Sequence, residues 1–147
     1  MTQNVAPTAP LNLLENTSEV LGHLQKVEDW IAASPLDPKL VHMLKLRASQ
    51  LNGCAYCVKM HANDLRAAGE SDARLDHLIV WRHAKGFSEA ERAALDWIET
   101  LTELSPGASH GAGRAKLRAH FSEQGIATLT VVASMINLWN RVQVSNH

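Results

Sequence analysis

Apolar residues recur at intervals of three and four along almost the whole chain after residue 10, and no segment alternates apolar and polar positions over the length of a strand. Spacings of three and four place apolar side chains on one face of an α-helix, whereas strict alternation indicates a half-buried strand. The pattern therefore predicts an all-α fold. We expect a single-domain bundle of about six or seven helices over residues 13–147, preceded by a flexible segment, residues 1–12.

Capping and breaking residues set the predicted helix boundaries. A first helix over 18–33 ends before Pro35, because the residue that precedes proline is pushed out of the helical region. Asp37 is placed to cap the second helix, and Ser88 with Glu91 has the S-x-x-E spacing of a capping box. The predicted helices after the first are Pro38 to Asn52, 54–68, 72–84, 89–104, a short helix after the loop 105–113, and 123–143.

Two further patterns concern packing. The last predicted helix is apolar on more than one face, which indicates burial by several neighbours or by another subunit. The tryptophans at positions 30, 81, 97 and 139 have apolar neighbours at helical spacing, so we expect them to pack in the core rather than to stack on a ligand.

The overall charge argues against two classes of partner. Fourteen basic residues stand against fifteen acidic ones, so no net field favours nucleic acid or an anionic membrane surface. The longest apolar stretch, Ile126 to Leu138, is shorter than the roughly 20 residues that a membrane-spanning helix needs. The polar, proline-bearing N-terminus does not have the pattern of a secretory signal. We therefore expect a cytoplasmic protein with no nucleic-acid or membrane partner.

The chain has two cysteines, and they lie three residues apart in the sequence Asn52-Gly53-Cys54-Ala55-Tyr56-Cys57. Both fall in the first turn of the predicted third helix, where free N–H groups and the helix dipole stabilise a negative charge. Cysteines of CxxC pairs at helix starts can have thiol pKa values well below the free value of about 8.5, and the thiolate is the reactive form. The sequence predicts a redox-active dithiol that can close into a disulfide.

Two other interpretations of the cysteines stay open at this point. They could be small core residues of an apolar helix, which is a common place for isolated cysteines. They could also bind a structural zinc ion, with Cys54, Cys57 and His61 as ligands and His42 as a fourth.

His61 is the histidine in register with the dithiol. It follows Cys57 by four residues and Cys54 by seven, so all three side chains project from one helix face. An imidazole there could take a proton from a thiol and deliver it to a leaving oxygen. His42 precedes Cys54 by twelve residues, and the intervening turn could fold it back beside the dithiol. The other six histidines are interpreted as solvated side chains.

Together these residues resemble the alkylhydroperoxidase AhpD-like group of the carboxymuconolactone decarboxylase superfamily, over about residues 20–142. The matching segments are Leu46 to Cys57 with His61, Gly69-Glu70, Arg74-Leu75, Trp81-Arg82, Phe87 to Leu95, and Ile136 to Arg141.

The resemblance implies an AhpD-like helical bundle that assembles into homo-trimers or homo-hexamers. It also implies a peroxidase or disulfide-reductase activity without haem, metal or other cofactor. When the family's roles are assigned to the matching residues of this chain, Cys57 attacks a small hydroperoxide, Cys54 resolves the sulfenic acid, and His61 belongs to the proton relay. A thiol or dithiol protein would then reduce the disulfide. The superfamily's decarboxylases lack the CxxC motif, so lactone decarboxylation is set aside.

Two positions of the relay depart from the family pattern. Family members usually have a glutamate twelve residues before the first cysteine, and this chain has His42 there, which can still move protons near neutral pH. Tyr56 stands where the founding alkylhydroperoxidase type has histidine, and its hydroxyl could hold an ordered water. These changes leave a second function open, a redox-sensing or disulfide-exchange module with weak or no peroxidase turnover.

Overall fold

The computed structural model describes residues 5–147, which form eight α-helices and one 3-10 helix, with no strand in that range. The all-α prediction is confirmed, and the helix count is slightly above the expected six or seven. Residues 1–4, part of the segment predicted to be flexible, lie outside the described residues, and the flexibility of 1–12 stays a prediction. The elements are α1 (Leu13–Asn16), α2 (Ser18–Ala32), α3 (Pro38–Leu51), α4 (Ala55–Ala67), α5 (Asp72–His77), the 3-10 helix (Leu78–Val80), α6 (Glu89–Thr102), α7 (Gly111–Arg118) and α8 (Glu123–Val144).

The caps form at the predicted residues. The Asp37 carboxylate accepts a hydrogen bond from the Lys39 amide at 2.9 Å and so begins α3. Ser88 and Glu91 form a complete capping box at the start of α6. Because such caps satisfy N–H groups that have no partner within the helix, they fix where each helix begins.

The helix predicted over 72–84 is wrong in its second half. α5 ends at His77, and the chain continues as the 3-10 helix and then as turns. Leu78 and Trp81 are buried whereas the two residues between them are exposed, a spacing of three that suits a 3-10 geometry. The Arg92 guanidinium donates to the carbonyls of Trp81 and Ala84. Those carbonyls are therefore satisfied without a continuing α-helix.

α3 lies at the centre of the bundle and packs against α4, α6 and α8. The core between these helices includes one almost fully buried leucine from each helix: Leu44, Leu65, Leu95 and Leu129. This packing holds the end of α3 and the start of α4, where the cysteines lie, inside the bundle rather than on a loop.

A buried polar network joins α8 to the end of α3. The Asn52 side-chain amide donates to Asn140 at 2.9 Å and to Asn137 at 3.0 Å. Asn140 in turn donates to the Ser49 hydroxyl at 2.9 Å. Since buried polar groups are costly when unpaired, this network specifies one register between the two helices. It fixes the backbone two residues before Cys54.

Three of the four tryptophans pack in the core as predicted, fully for Trp81 and Trp97 and partly for Trp139. The prediction is wrong for Trp30, which is 51% exposed. α2 lies at the edge of the bundle, and Ile31 is its one buried residue. Trp30, the residue before it, faces away from the core. Within residues 5–147 no helix is both long and apolar enough to cross a bilayer.

Candidate active site

The chain reverses between α3 and α4 at Gly53, which has a φ of +67° that side-chain-bearing residues rarely adopt. Cys54 follows as the N-cap of α4, and its sulfur accepts a hydrogen bond from the Cys57 amide at 3.3 Å. Both sulfurs therefore lie at the positive end of the α4 dipole. The local sequence Asn52-Gly53-Cys54 produces this placement directly.

Cys54 and Cys57 are joined by a disulfide, with their Cα atoms 5.4 Å apart. Because the disulfide engages both sulfurs, this state cannot supply the two thiolates that the alternative Cys/His zinc site requires. Both residues are almost completely buried, at 0% for Cys54 and 1% for Cys57. The CxxC pair thus has the connectivity of a redox dithiol in its oxidised form.

A cavity of about 400 Å³ adjoins the disulfide. Cys57 is among the described residues that line it, and Cys54 is not. Tyr56 and Met60 are exposed residues of the lining, so the cavity reaches the protein surface. The lining residues are Gln25, Glu28, Lys45, Tyr56, Cys57, Met60, His61, Ile136, Trp139 and Gln143.

The structure brings the two predicted histidines together, with His61 in the cavity wall. His61 lies on α4 and lines the cavity, and its Nδ1 is 3.4 Å from the Nδ1 of His42 on α3. The carboxylate of Asp64 lies 3.4 Å from His61 and 3.5 Å from His42. The turn between α3 and α4 therefore does fold His42 back beside the residues of the dithiol helix.

Burial controls the protonation of these imidazoles. It lowers the pKa of His61 to about 4, and the positive charges of Lys45 and of protonated His42 act in the same direction. Burial also lowers the pKa of His42, against the opposing effect of Asp64. Both rings are therefore mainly neutral near pH 7, which is the form of an imidazole that can accept a proton.

A buried ion pair forms another wall of the cavity. The Lys45 ammonium binds the Glu28 carboxylate, which also accepts a hydrogen bond from the Trp139 indole at 2.8 Å. The three residues come from α3, α2 and α8, so one pair of charges ties three helices together beside Cys57. The positive charge of Lys45 faces the same cavity as the Cys57 sulfur.

Three residues of the site, Glu28, Lys45 and Asp64, were not predicted from the sequence. A signal was available for Lys45, because it is a charged residue within the otherwise apolar run from Met43 to Leu46. Asp64 follows His61 by three residues and so shares its helix face. Glu28 offered no local signal, since its partners lie on other helices.

Comparisons with known proteins agree with this architecture. The model of the carboxymuconolactone decarboxylase family matches residues 18–100. The uncharacterized protein YdfG of Bacillus subtilis is 30% identical over 122 residues, which are 83% of this chain and 83% of that one. The family model thus covers more than half of the chain, including both cysteines and both histidines.

The chain belongs to the carboxymuconolactone decarboxylase family. Within this family it has the AhpD-like fold. A protein of unknown function from Agrobacterium tumefaciens, provisionally assigned to antioxidant defence as AhpD, is 34% identical with a TM-score of 0.88 over 94% of each chain. An uncharacterized peroxidase-related protein from Ralstonia eutropha JMP134, with an AhpD core, shares the fold at a TM-score of 0.76 and 22% identity, over 87% of this chain and 68% of that one.

Proposed function

We propose that the protein is a thiol-dependent peroxidase that reduces small hydroperoxides through Cys57, with Cys54 as the resolving cysteine. The observation that carries this proposal is that Cys57 lines a surface-connected cavity while Cys54 does not. A peroxide that enters the cavity therefore meets the sulfur of Cys57 first. The resemblance to AhpD-like proteins implies the same assignment of the two roles.

The reaction uses general cysteine chemistry. The reduced Cys57 sulfur attacks the terminal oxygen of the hydroperoxide, so that an S–O bond forms and the O–O bond breaks. The thiol proton passes to the leaving oxygen, which gives an alcohol, or water from hydrogen peroxide, and a Cys57 sulfenic acid. The Cys54 thiol then attacks this sulfur, releasing water and forming the disulfide. An external thiol or dithiol protein supplies two electrons and two protons to restore the pair.

Two features favour the thiolate of reduced Cys57. Its position in the first turn of α4 puts Cys57 at the positive end of the helix dipole. Lys45 adds a positive charge at the wall of the same cavity, and a nearby cation favours the ionised form of an acid.

His61 is proposed to carry the proton from the Cys57 thiol to the leaving oxygen. The support is its position in the cavity wall, one helical turn after Cys57, and its mainly neutral state. Asp64 and His42 lie within 3.5 Å of its Nδ1. His42 takes the place of the family's usual glutamate in this relay, and Tyr56 is proposed to hold a water at the cavity mouth.

The lining favours an organic hydroperoxide over hydrogen peroxide as the substrate. Met60, Ile136 and Trp139 give the cavity an apolar part next to its polar groups. An alkyl or aryl substituent would remove apolar surface from water there, which is worth about 25 cal/mol per Å². Hydrogen peroxide gains nothing from these contacts.

Steady-state turnover of cumene hydroperoxide with dithiothreitol or a thioredoxin as reductant tests the proposal. Cys57→Ser should abolish turnover. Without added reductant, Cys54→Ser should consume about one equivalent of peroxide and remain a sulfenic acid, because that group has no partner thiol within the chain. A Cys57→Ser variant that consumes the peroxide as fast as the parent would disprove the proposal.

The same assay separates the alternative function. A redox-sensing or disulfide-exchange module would oxidise once and form the Cys54–Cys57 bond, but it would not sustain turnover when reductant and peroxide are both in excess. Sustained consumption of many peroxide molecules per chain would exclude a pure switch.

A further inference from the structure

The three side chains placed at the proposed proton relay also form a cluster whose geometry suits a second role. His42 comes from α3, and His61 and Asp64 come from consecutive turns of α4. The two Nδ1 atoms are 3.4 Å apart, and one Asp64 oxygen lies 3.5 Å from His42 and 3.4 Å from His61. Three donor atoms on two rigid helices thus form a nearly equilateral triangle.

These distances are long for hydrogen bonds. Charge-assisted N–H···O bonds between an imidazole and a carboxylate are about 2.7–2.9 Å long. The distances instead match one face of a coordination tetrahedron. With metal–nitrogen and metal–oxygen bonds of about 2.0–2.1 Å, two ligand atoms of a tetrahedral zinc ion are about 3.4 Å apart. All three edges of the triangle agree with that value.

We propose that His42, His61 and Asp64 bind one divalent first-row transition-metal ion, with Zn²⁺ as the best fit. Two imidazoles and one carboxylate suit zinc and cobalt better than magnesium or calcium, which prefer six or more oxygen ligands. Neither cysteine belongs to this site, which separates it from a Cys/His zinc site. The site shares His42 and His61 with the proposed relay, but the test of metal binding does not depend on peroxidase activity.

The surroundings leave one coordination position open. The His61 side chain is buried, whereas those of His42 and Asp64 are 32% and 42% exposed. A water molecule or a small anion can therefore complete the tetrahedron from the solvent side, as in zinc sites with three protein ligands. The positive charge of the nearby Lys45 repels a bound metal ion, but the Glu28 carboxylate paired with Lys45 offsets this charge.

The test uses the full-length protein in its disulfide form, freed of metal by a chelator and then dialysed. Isothermal titration with ZnCl₂ should show one ion per chain, and CoCl₂ should produce the visible absorption bands of tetrahedral cobalt. His42→Ala and Asp64→Asn should each weaken Zn²⁺ binding by about 100-fold or more, since even changes outside the ligand shell cost 10–100-fold. Both side chains are partly exposed, so these variants are expected to fold, which circular dichroism checks.

Two controls make the result specific to this cluster. His77→Ala removes a histidine from α5 and should leave Zn²⁺ binding unchanged. The double variant Cys54→Ser, Cys57→Ser should also retain one Zn²⁺ per chain. Any of three results would overturn the proposal. The protein does not bind Zn²⁺ at about 100 μM, or the double cysteine variant loses Zn²⁺ binding. The third is that His42→Ala and Asp64→Asn both bind Zn²⁺ as tightly as the parent.

Discussion

The Glu28–Lys45 pair predicts that one substitution will affect stability and cysteine reactivity in opposite directions. Glu28→Gln keeps the size of the side chain and an oxygen that can accept from the Trp139 indole, but it removes the charge that neutralises Lys45. The Lys45 residue is only 7% exposed. An ammonium group that loses its partner at such a position is costly, because water replaces the carboxylate poorly.

The size of the stability loss in Glu28→Gln follows from how deeply the ion pair is buried. Breaking a fully buried ion pair by removing one partner costs about 3–5 kcal/mol. Because Glu28 borders a cavity that reaches the surface and its side chain is 16% exposed, we expect about 2–3 kcal/mol. For a chain of this size, that corresponds to a fall in Tm of about 4–12 °C.

The unpaired charge of Lys45 should at the same time favour the thiolate of reduced Cys57. A cation near an acid typically changes its ionisation equilibrium by about tenfold or more. We therefore expect Glu28→Gln to increase the rate at which iodoacetamide alkylates Cys57 at pH 7 by up to about tenfold. Lys45→Met should also lower the Tm, since it leaves Glu28 without its cation, but it should slow alkylation.

Thermal unfolding followed by circular dichroism and alkylation followed by mass spectrometry measure the two effects. Glu19→Gln is the matched control, because it makes the same change at an exposed position of α2. Glu19 lies in the first turn of that helix, so losing its charge should cost about 0.3–1 kcal/mol, less than Glu28→Gln. If Glu28→Gln and Lys45→Met change the alkylation rate in the same direction, the electrostatic reasoning is refuted.

Three further predictions concern stability, the relay and assembly. Burial raises the pKa of Glu99, but hydrogen bonds from Trp81, Arg47 and Arg82 lower it to below its usual value. The ionised Glu99 carboxylate therefore stabilises the fold at pH values above its unfolded pKa of about 4.5. This stabilisation is lost as the pH falls through the folded pKa. The Tm of the parent should therefore fall more steeply between pH 5 and pH 3 than that of Glu99→Gln, which is less stable at pH 7, and equal slopes would contradict this. His42→Glu restores the family's usual carboxylate and should raise cumene hydroperoxide turnover by about tenfold or more, with an unchanged or lower rate as the contrary outcome. The homo-trimer or homo-hexamer implied by the family should give a mass three or six times 16.1 kDa in light scattering, and a monomer at all concentrations would exclude it.

Much of the fold could be predicted because its boundaries depend on local chemistry. Asp37 and Ser88 mark helix starts through their own side chains, and Gly53 permits the reversal before the cysteines. The helix predicted over 72–84 failed because its end depends on Arg92, a residue of the next helix whose guanidinium satisfies the carbonyls of Trp81 and Ala84. Such a tertiary contact leaves no trace in the local pattern.

The site residues also divide into those that local spacing predicts and those that depend on contacts between helices. Helical spacing on a single helix was enough to associate His61 with the dithiol, and Asp64 could have been found by the same rule. Glu28 could not, because three helices must pack before its carboxylate meets Lys45 and Trp139. Trp30 was misplaced for a related reason, since apolar neighbours in sequence do not tell which face of an edge helix the bundle covers.

Trapping the sulfenic acid tests most directly which sulfur meets the peroxide. Reduced Cys54→Ser and reduced Cys57→Ser are each treated with one equivalent of cumene hydroperoxide in the presence of dimedone, and the adduct is located by mass spectrometry. We predict a stoichiometric adduct on Cys57 in the first variant and little or none on Cys54 in the second. A dominant adduct on Cys54 would contradict the account.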